Sequence, residues 1–407
     1  MTPRKYDITL YGATGYTGRL ILINLCQALL ESHKQQPLLS IAIAGRDHKK
    51  LQLLKQEMVA VDRANEALSI EVADCFDEPA LMVLAEQSRV MISAVGPYMS
   101  FGELVIKACA ENGTDYLDLT GENEFVDRMY PKYDMVARST KCRLIHACGF
   151  DSVPHDLGVL FAVQQLSEQC DDLMRKDVVV NTYVNLGGKV SSGTWRSLIS
   201  IMSRLRYSLN LKSLWQAFSY GKSVDGRRIK IARPKLHFSP KLRSWVVPLP
   251  SIDSQVVRRS AELFEQYGRN FTYGHYLQIK SLPKLMVALG GVTAAIGLAQ
   301  LSWTREKLLE LFPDGDGPTD GDRERAWFKV TVDARSGSHQ VVATVRGGDP
   351  GYGETAKIIT QAALTLIQDR DHLEPVYGVL TPASAFGELL LDRLIENGIQ
   401  FTLLDEC

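Results

Sequence analysis

Along the first 150 positions, short apolar runs end in glycine-rich turns and alternate with longer stretches of mixed character. Tyr6 to Tyr11 (YDITLY) predicts a strand. Gly12-Ala13-Thr14-Gly15-Tyr16-Thr17-Gly18 follows it directly, and Arg19 to Leu30 (RLILINLCQALL) then predicts a helix crowded with apolar side chains. Further strands are predicted at Leu39–Ala44, Ser69–Ala73 and Val90–Ala94, the last mostly apolar, as suits a strand covered on both faces. Pro79 stands where a helix can begin, and Ala80–Gln87 continues it. A second helix is predicted over Phe101–Asn112, closed by Gly113 as its C-cap. Asp115–Leu119 and Arg143–Ala147 complete a series of five or six strands, which predicts an α/β fold with a doubly wound parallel sheet.

The order strand, glycine turn, helix is what makes the first turn chemically meaningful, because it is the phosphate-binding corner of a Rossmann-type domain. Gly12 permits a tight exit from the strand. Gly15 lets the backbone approach a diphosphate, and Gly18 lets the helix pack closely on the sheet. The N–H groups of the helix N-terminus then face the anion. Cofactor contacts are therefore expected from Gly12, Thr14, Gly15, Tyr16, Thr17 and Gly18. Arg46, just after the second strand, suits a ribose 2′-phosphate, because its planar fork makes charge-assisted bonds to phosphate oxygens; this predicts NADP(H). Asp47 follows at once and leaves NAD open. Val95, Gly96 and Pro97 form the loop after the fourth strand, at the sheet edge where cofactor and substrate meet.

Beyond Asp151 the pattern changes, and a second domain of α+β character is predicted over 151–350. Asp177–Asn185 is strand-like, Ser191-Ser192-Gly193-Thr194 opens a predicted helix reaching Leu214, and Asp314–Asp322 is an acidic loop. Trp327–Ala334 and Ser338–Arg346 predict a hairpin turning at Ser336-Gly337. Leu285–Trp303 is free of charge and flanked by Lys280, Lys284, Arg305 and Lys307. Its three glycines keep it only mildly apolar. It predicts a buried or subunit-contact helix, as in a homodimer, or an element lying on a membrane surface, rather than a true span. A last helix, Glu354–Gln368, starts the segment 351–407, which is expected to return to the first domain.

Charge enters the picture only locally. The chain carries 46 Lys and Arg against 47 Asp and Glu. Yet Gly187–Glu310 holds 20 basic residues and 6 acidic ones, an excess of fourteen. No nucleic-acid-binding signature accompanies this excess, so an anionic membrane surface or an anionic substrate is the expected partner and nucleic acid is not. The 7 cysteines form no CxxC pair, so reduced thiols are expected and no metal site is anticipated. The chain enters a strand by Tyr6 without an apolar leader, which predicts a cytoplasmic protein. No GxSxG elbow, HExxH helix or Walker lysine is present, which argues against hydrolase and nucleotide-hydrolase chemistry.

Several segments together resemble the saccharopine dehydrogenase-like oxidoreductases, and within them the trans-acting enoyl reductases of lipid synthesis. They are Gly12–Gly18, Ala44-Gly45-Arg46, Ala94–Tyr98, Tyr116–Glu122, His146–Pro154, Ser191–Thr194, Gly315–Pro318 and Gly378–Ala383. The resemblance implies a Rossmann domain completed by the C-terminal segment, with the α+β domain inserted between. It also implies NADPH as reductant and a lipid-like or carrier-bound substrate with an enoyl or carbonyl group. The arginine set that would clamp a dicarboxylic substrate is not identifiable here, so a saccharopine-type amino-acid dehydrogenase is the alternative. A nucleotide-binding protein without turnover at a lipid surface is a third reading. For proton transfer the residue types point to Tyr98, whose phenol follows the fourth strand, and to Asp151 and His155 at the junction of the two domains. Work near lipid would place the protein at the inner face of the plasma membrane.

Overall fold

The computed structural model describes residues 4–32, 39–188, 199, 221–249, 251–310 and 318–404. The Ser191–Thr194 helix start, most of the helix predicted to follow it and the first part of the acidic loop lie outside the described residues. Two compact units emerge: Met1–Val153 with Tyr352–Asn397, and Pro154–Gly351 with Gly398–Cys407.

In the first unit the strands are β1 (Tyr6–Tyr11), β2 (Ile41–Gly45), β3 (Ser69–Val72), β4 (Ser88–Ser93), β5 (Asp115–Asp118) and β6 (Arg143–Ile145). All neighbours run parallel, with β1 central, β2 and β3 on one side and β4, β5 and β6 on the other. Both wings grow outward from β1, so the strand order reverses between β1 and β4. The loops after those two strands therefore open onto the crevice of the doubly wound fold. Apolar side chains on both faces hold the sheet: Ile8, Leu10, Ile43, Val90 and Ile92 are buried on one, and Tyr11, Ala44 and Met91 on the other. Gly113 closes its helix at φ 68°, in the left-handed conformation expected of a glycine C-cap.

The second unit is built on an open mixed sheet. Its strands are β7 (Asp177–Gly187), β8 (Gly221–Val224), β9 (Arg227–Ile231), β10 (His237–Ser239), β11 (Ser244–Pro248), β12 (Asn270–Ile279), β13 (Trp327–Ser336) and β14 (His339–Gly347). Along the main path the order is β10-β11-β12-β7-β13-β14, with β9 pairing the start of β12. The predicted hairpin is β13–β14, with Ser336 opposite His339 and Gly337 at φ 57°. Alternation is strict on β7: Val178, Val180, Thr182 and Val184 are buried, whereas Val179 is exposed.

The tail divides. Helix Gly353–Gln368 and β15 (Gly378–Leu380) join the first unit, where β15 extends the parallel sheet beside β6. The last strand, β16 (Gln400–Leu403), instead pairs antiparallel with β14 in the second unit. The expectation that 351–407 returns whole to the first domain is corrected at that point. Thr402 Oγ1 meets Thr344 Oγ1 at 2.8 Å, and Phe401 packs edge-on against Phe161.

Helix Leu282–Ala299 holds most of the uncharged stretch, and only 19% of the helix is buried. Leu285 and Ala299 face inward, while Met286, Val287, Val292 and Leu298 are exposed. Trp303, at the start of the next helix, Ser302–Glu310, is 64% exposed. The reading of this stretch as a helix buried within the chain is therefore corrected. Apolar residues surround the helix, yet most of its described side chains face outward.

Candidate functional site in the parallel-sheet unit

The glycine turn is a closed piece of geometry. Gly12 has φ 89° and donates its N–H to the Ala44 carbonyl at 2.8 Å; Gly15 N–H reaches back to the Gly12 carbonyl at 3.1 Å. A Cβ at Gly12 would lie 2.6 Å from Val95 Cγ2, so the β1 and β4 loops touch across the switch point. A Cβ at Gly18 would lie 2.2 Å from the Gly12 oxygen, so only glycine lets the helix Tyr16–Ser32 start this close to β1. Gly15 differs. A Cβ there would meet only the Gly12 oxygen, at 3.5 Å, and the residue is exposed. Protein packing leaves room for a side chain at Gly15. A diphosphate approaching the helix N-terminus would fill the same space, so the turn fits the phosphates of a dinucleotide. Thr14 is exposed, Thr17 is half-buried, and the Tyr16 ring packs edge-on against Tyr352 at 4.6 Å.

At the end of β2, Arg46 is exposed. Asp47 is committed elsewhere: its Oδ1 accepts the Lys50 N–H at 3.1 Å and caps helix His48–Val61. The exposed Arg46 guanidinium beside it is a group of the type that suits a ribose 2′-phosphate. Val95, Gly96 and Pro97 line the neighbouring loop, the last two exposed, joined by a cis Gly96–Pro97 bond.

The three residues expected to move protons fare differently. Tyr98 is buried; its hydroxyl donates to the Ser93 carbonyl at 3.0 Å and accepts the Leu119 N–H at 3.2 Å. Burial, reinforced by the nearby Asp118 charge, pushes the phenol well above the ordinary tyrosine value. The proton-donor expectation for Tyr98 is corrected: its hydroxyl joins the loops after β4 and β5. Glu122 secures the same joint by accepting the Tyr98 and Met99 N–H groups at 2.8 and 3.2 Å.

Asp151 is exposed in the loop after β6, with its carboxylate lying beside Gly121. Both positions are at the carboxyl edge of the sheet. His155 is buried in the second unit, 1% exposed, with Nδ1 2.7 Å from Asp253 Oδ1. Its expected contact with substrate is corrected, because the ring is enclosed by its own unit.

Asp118 ties several parts of this sheet edge together. Oδ1 accepts the Thr120 and Ala147 N–H groups at 3.1 and 2.9 Å, and Oδ2 meets His146 Nδ1 at 2.7 Å. Ala147 adopts φ 57°, and Cys148 N–H reaches the Asp118 carbonyl at 2.7 Å. Ser152 Oγ closes the loop onto the Ala147 carbonyl at 2.6 Å, and Phe150 N–H reaches Thr355 Oγ1 at 3.1 Å. Asp118→Ala would orphan several buried donors at once, each costing about 1–3 kcal/mol. A urea melt should show a loss of about 3–5 kcal/mol; a loss below about 1 kcal/mol would show that the loop holds without it. The sequence marks Asp118 only as one acidic residue near a turn. Its role depends on His146 and Ala147, one strand away.

The comparisons agree with this geometry. The family model of the saccharopine dehydrogenase NADP binding domain matches residues 8–143. A Mycobacterium tuberculosis protein, provisionally named a trans-acting enoyl reductase, is 31% identical, covering 98% of this chain and 97% of its own. The rat saccharopine dehydrogenase-like oxidoreductase is 30% identical, with 98% of each chain covered. A Caenorhabditis elegans protein named lipid droplet localized protein is 30% identical over 99% of each chain. Among solved structures, the L-Glu-forming saccharopine dehydrogenase of Saccharomyces cerevisiae matches 98% of this chain and 100% of its own. Its TM-score is 0.53 and its identity 13%, which is a likeness of fold. The phosphate turn, the free guanidinium after β2 and full-length relatives at this identity lead to one conclusion. The chain belongs to the saccharopine dehydrogenase-like oxidoreductases and binds NADP(H) through its parallel-sheet unit.

Proposed function

We propose that the protein is an NADPH-dependent reductase of an enoyl or carbonyl group on a lipid-like or carrier-bound substrate, acting at an anionic lipid surface on the cytoplasmic side. The observation that carries the lipid part is the helix Leu282–Ala299, whose Met286, Val287 and Val292 project into solvent between Lys280 and Lys284 on one flank and Arg305 and Lys307 on the other. An apolar surface with cationic borders suits an interface where acyl chains lie under anionic headgroups. The names of the mycobacterial and nematode relatives support the same reading.

When bound, NADPH supplies the hydride. The chain's own part is to hold the diphosphate at Gly12–Gly18, to grip the 2′-phosphate with Arg46 and to handle a proton near the carboxyl edge. Asp151 is the exposed carboxylate there. Asp151→Asn should lower kcat by about 10²–10⁴-fold while leaving NADPH affinity unchanged, as for loss of a general acid or base. An equal loss of cofactor affinity would make it a binding group instead.

NADPH oxidation screened against enoyl thioesters, and separately against a keto acid with an amine donor, separates the reductase from a saccharopine-type dehydrogenase. Cofactor binding without turnover on either panel would defeat both. For the surface, Met286→Glu with Val287→Glu should cut sedimentation with phosphatidylserine vesicles by about a hundredfold, since burying each apolar side chain contributes roughly 1.5–3 kcal/mol. Wild-type binding should also weaken as salt rises, because exposed charges are screened. A wild-type protein that stays in the supernatant at low salt would sink the surface reading.

A further inference from the structure

Three side chains meet inside the second unit from three separate elements: His155 on helix Val153–Gln169, Asp253 in the first turn of helix Ile252–Leu263, and His275 on β12. They are 1%, 4% and 5% exposed, and one donor atom from each lies within 4.8 Å of the other two. The carboxylate of Asp253 turns one oxygen to each ring: Oδ1 is 2.7 Å from His155 Nδ1, and Oδ2 is 3.4 Å from His275 Nε2. Neither contact meets hydrogen-bond geometry, and the 3.4 Å one leaves His275 Nε2 without such a partner among the described residues. Its length has another meaning. Nitrogen and oxygen donors sit about 2.0–2.2 Å from a tetrahedral zinc ion, which places two of them roughly 3.4 Å apart.

The far side of His275 supplies an independent observation. Its Nδ1 lies 2.8 Å from Thr182 Oγ1. Thr182 can accept the Nδ1 proton because its own proton has the Tyr273 hydroxyl at 2.6 Å, or the Gly274 carbonyl at 3.5 Å, as acceptor. That arrangement accommodates the tautomer in which Nε2 presents a lone pair to the cluster, with Thr182 as the outer partner that a metal-bound histidine needs. Two imidazoles and one carboxylate form a borderline donor set that suits zinc and not magnesium or calcium, which take oxygen ligands.

We propose that His155, Asp253 and His275 bind a zinc ion that staples two helices of the second unit to its sheet. With the site this buried, the ion is structural. The three side chains supply three donors, and a water molecule would complete the tetrahedron. The proposal does not depend on the reductase reading, since it concerns the stability of one unit.

The test is metal content and melting of the full chain, purified from zinc-supplemented culture. About one zinc per chain should survive gel filtration. Chelation should lower the melting temperature, and added zinc should restore it. Cobalt added to the chelated protein should give the visible bands of a tetrahedral ion. His275→Gln and Asp253→Asn should each hold less than about a tenth of the wild-type zinc while keeping a native circular dichroism spectrum. Should either variant fail to fold, the wild-type chelation and cobalt arms decide by themselves. Wild-type protein without zinc, with melting indifferent to chelator and no cobalt bands, would make the cluster a purely hydrogen-bonded one and overturn the proposal.

Discussion

Gly18→Ala is expected to abolish measurable NADPH binding and to lower the stability of the parallel-sheet unit, whereas Gly15→Ala should lose affinity alone. The two glycines are three residues apart in one turn, but their surroundings differ. At Gly18 the added carbon would fall 2.2 Å from the Gly12 oxygen and 3.0 Å from Ala13 Cα, both backbone atoms that no rotamer change can move. The helix must shift away from β1, at a cost of about 1–3 kcal/mol for an overpacked position and more where backbone resists. The shift also turns the N–H groups of the first helical turn away from the diphosphate, so the affinity loss should exceed about a hundredfold. At Gly15 the new methyl sits in ordinary contact, 3.5 Å from the same oxygen. Stability should stay within about 0.5 kcal/mol of wild type, as for an uncrowded surface change. Any loss of binding then reports the cofactor's own need for the space. NADPH fluorescence titration and thermal melts on both variants make the comparison. Undiminished binding by Gly15→Ala would mean that the diphosphate lies elsewhere.

Arg46→Ala should weaken NADPH by about 10- to 150-fold and leave NADH nearly unchanged. A hydrogen bond to a charged group contributes about 1.5–3 kcal/mol, and only the phosphorylated ribose offers one here. The prediction is sharpened by the cap on the following helix. Asp47 would be the natural partner of a bare ribose hydroxyl, but it already accepts the Lys50 N–H. Arg46→Lys should recover only part of the affinity, since a point charge replaces a planar fork. Equal losses for the two cofactors in calorimetric titrations would remove the assignment of Arg46 to the 2′-phosphate.

Other expectations failed where a side chain's direction mattered. Tyr98 stands in the segment where a proton donor would be sought, yet its phenol turns inward to Ser93 and Leu119. His155 has the right residue type near a domain junction, yet it is enclosed with Asp253 and His275. The uncharged stretch from Leu285 was compatible with burial by composition, but its side chains surround the helix and too few of them find a neighbour.

The first six strands of the parallel sheet, several of its helices, the glycine turn after β1 and the binding of NADP(H) were legible in the sequence itself. Each depends on contacts between residues a few positions apart: a glycine conformation, a helix start, an arginine after a strand. The tertiary structure alone decided that β15 joins the first sheet while β16 joins the second. It alone gave Asp118 its hold on the β6 loop and brought His155, Asp253 and His275 together. Those features join residues that are distant along the chain. Hydrophobic periodicity tells which face of an element is buried, but not which other element will cover it.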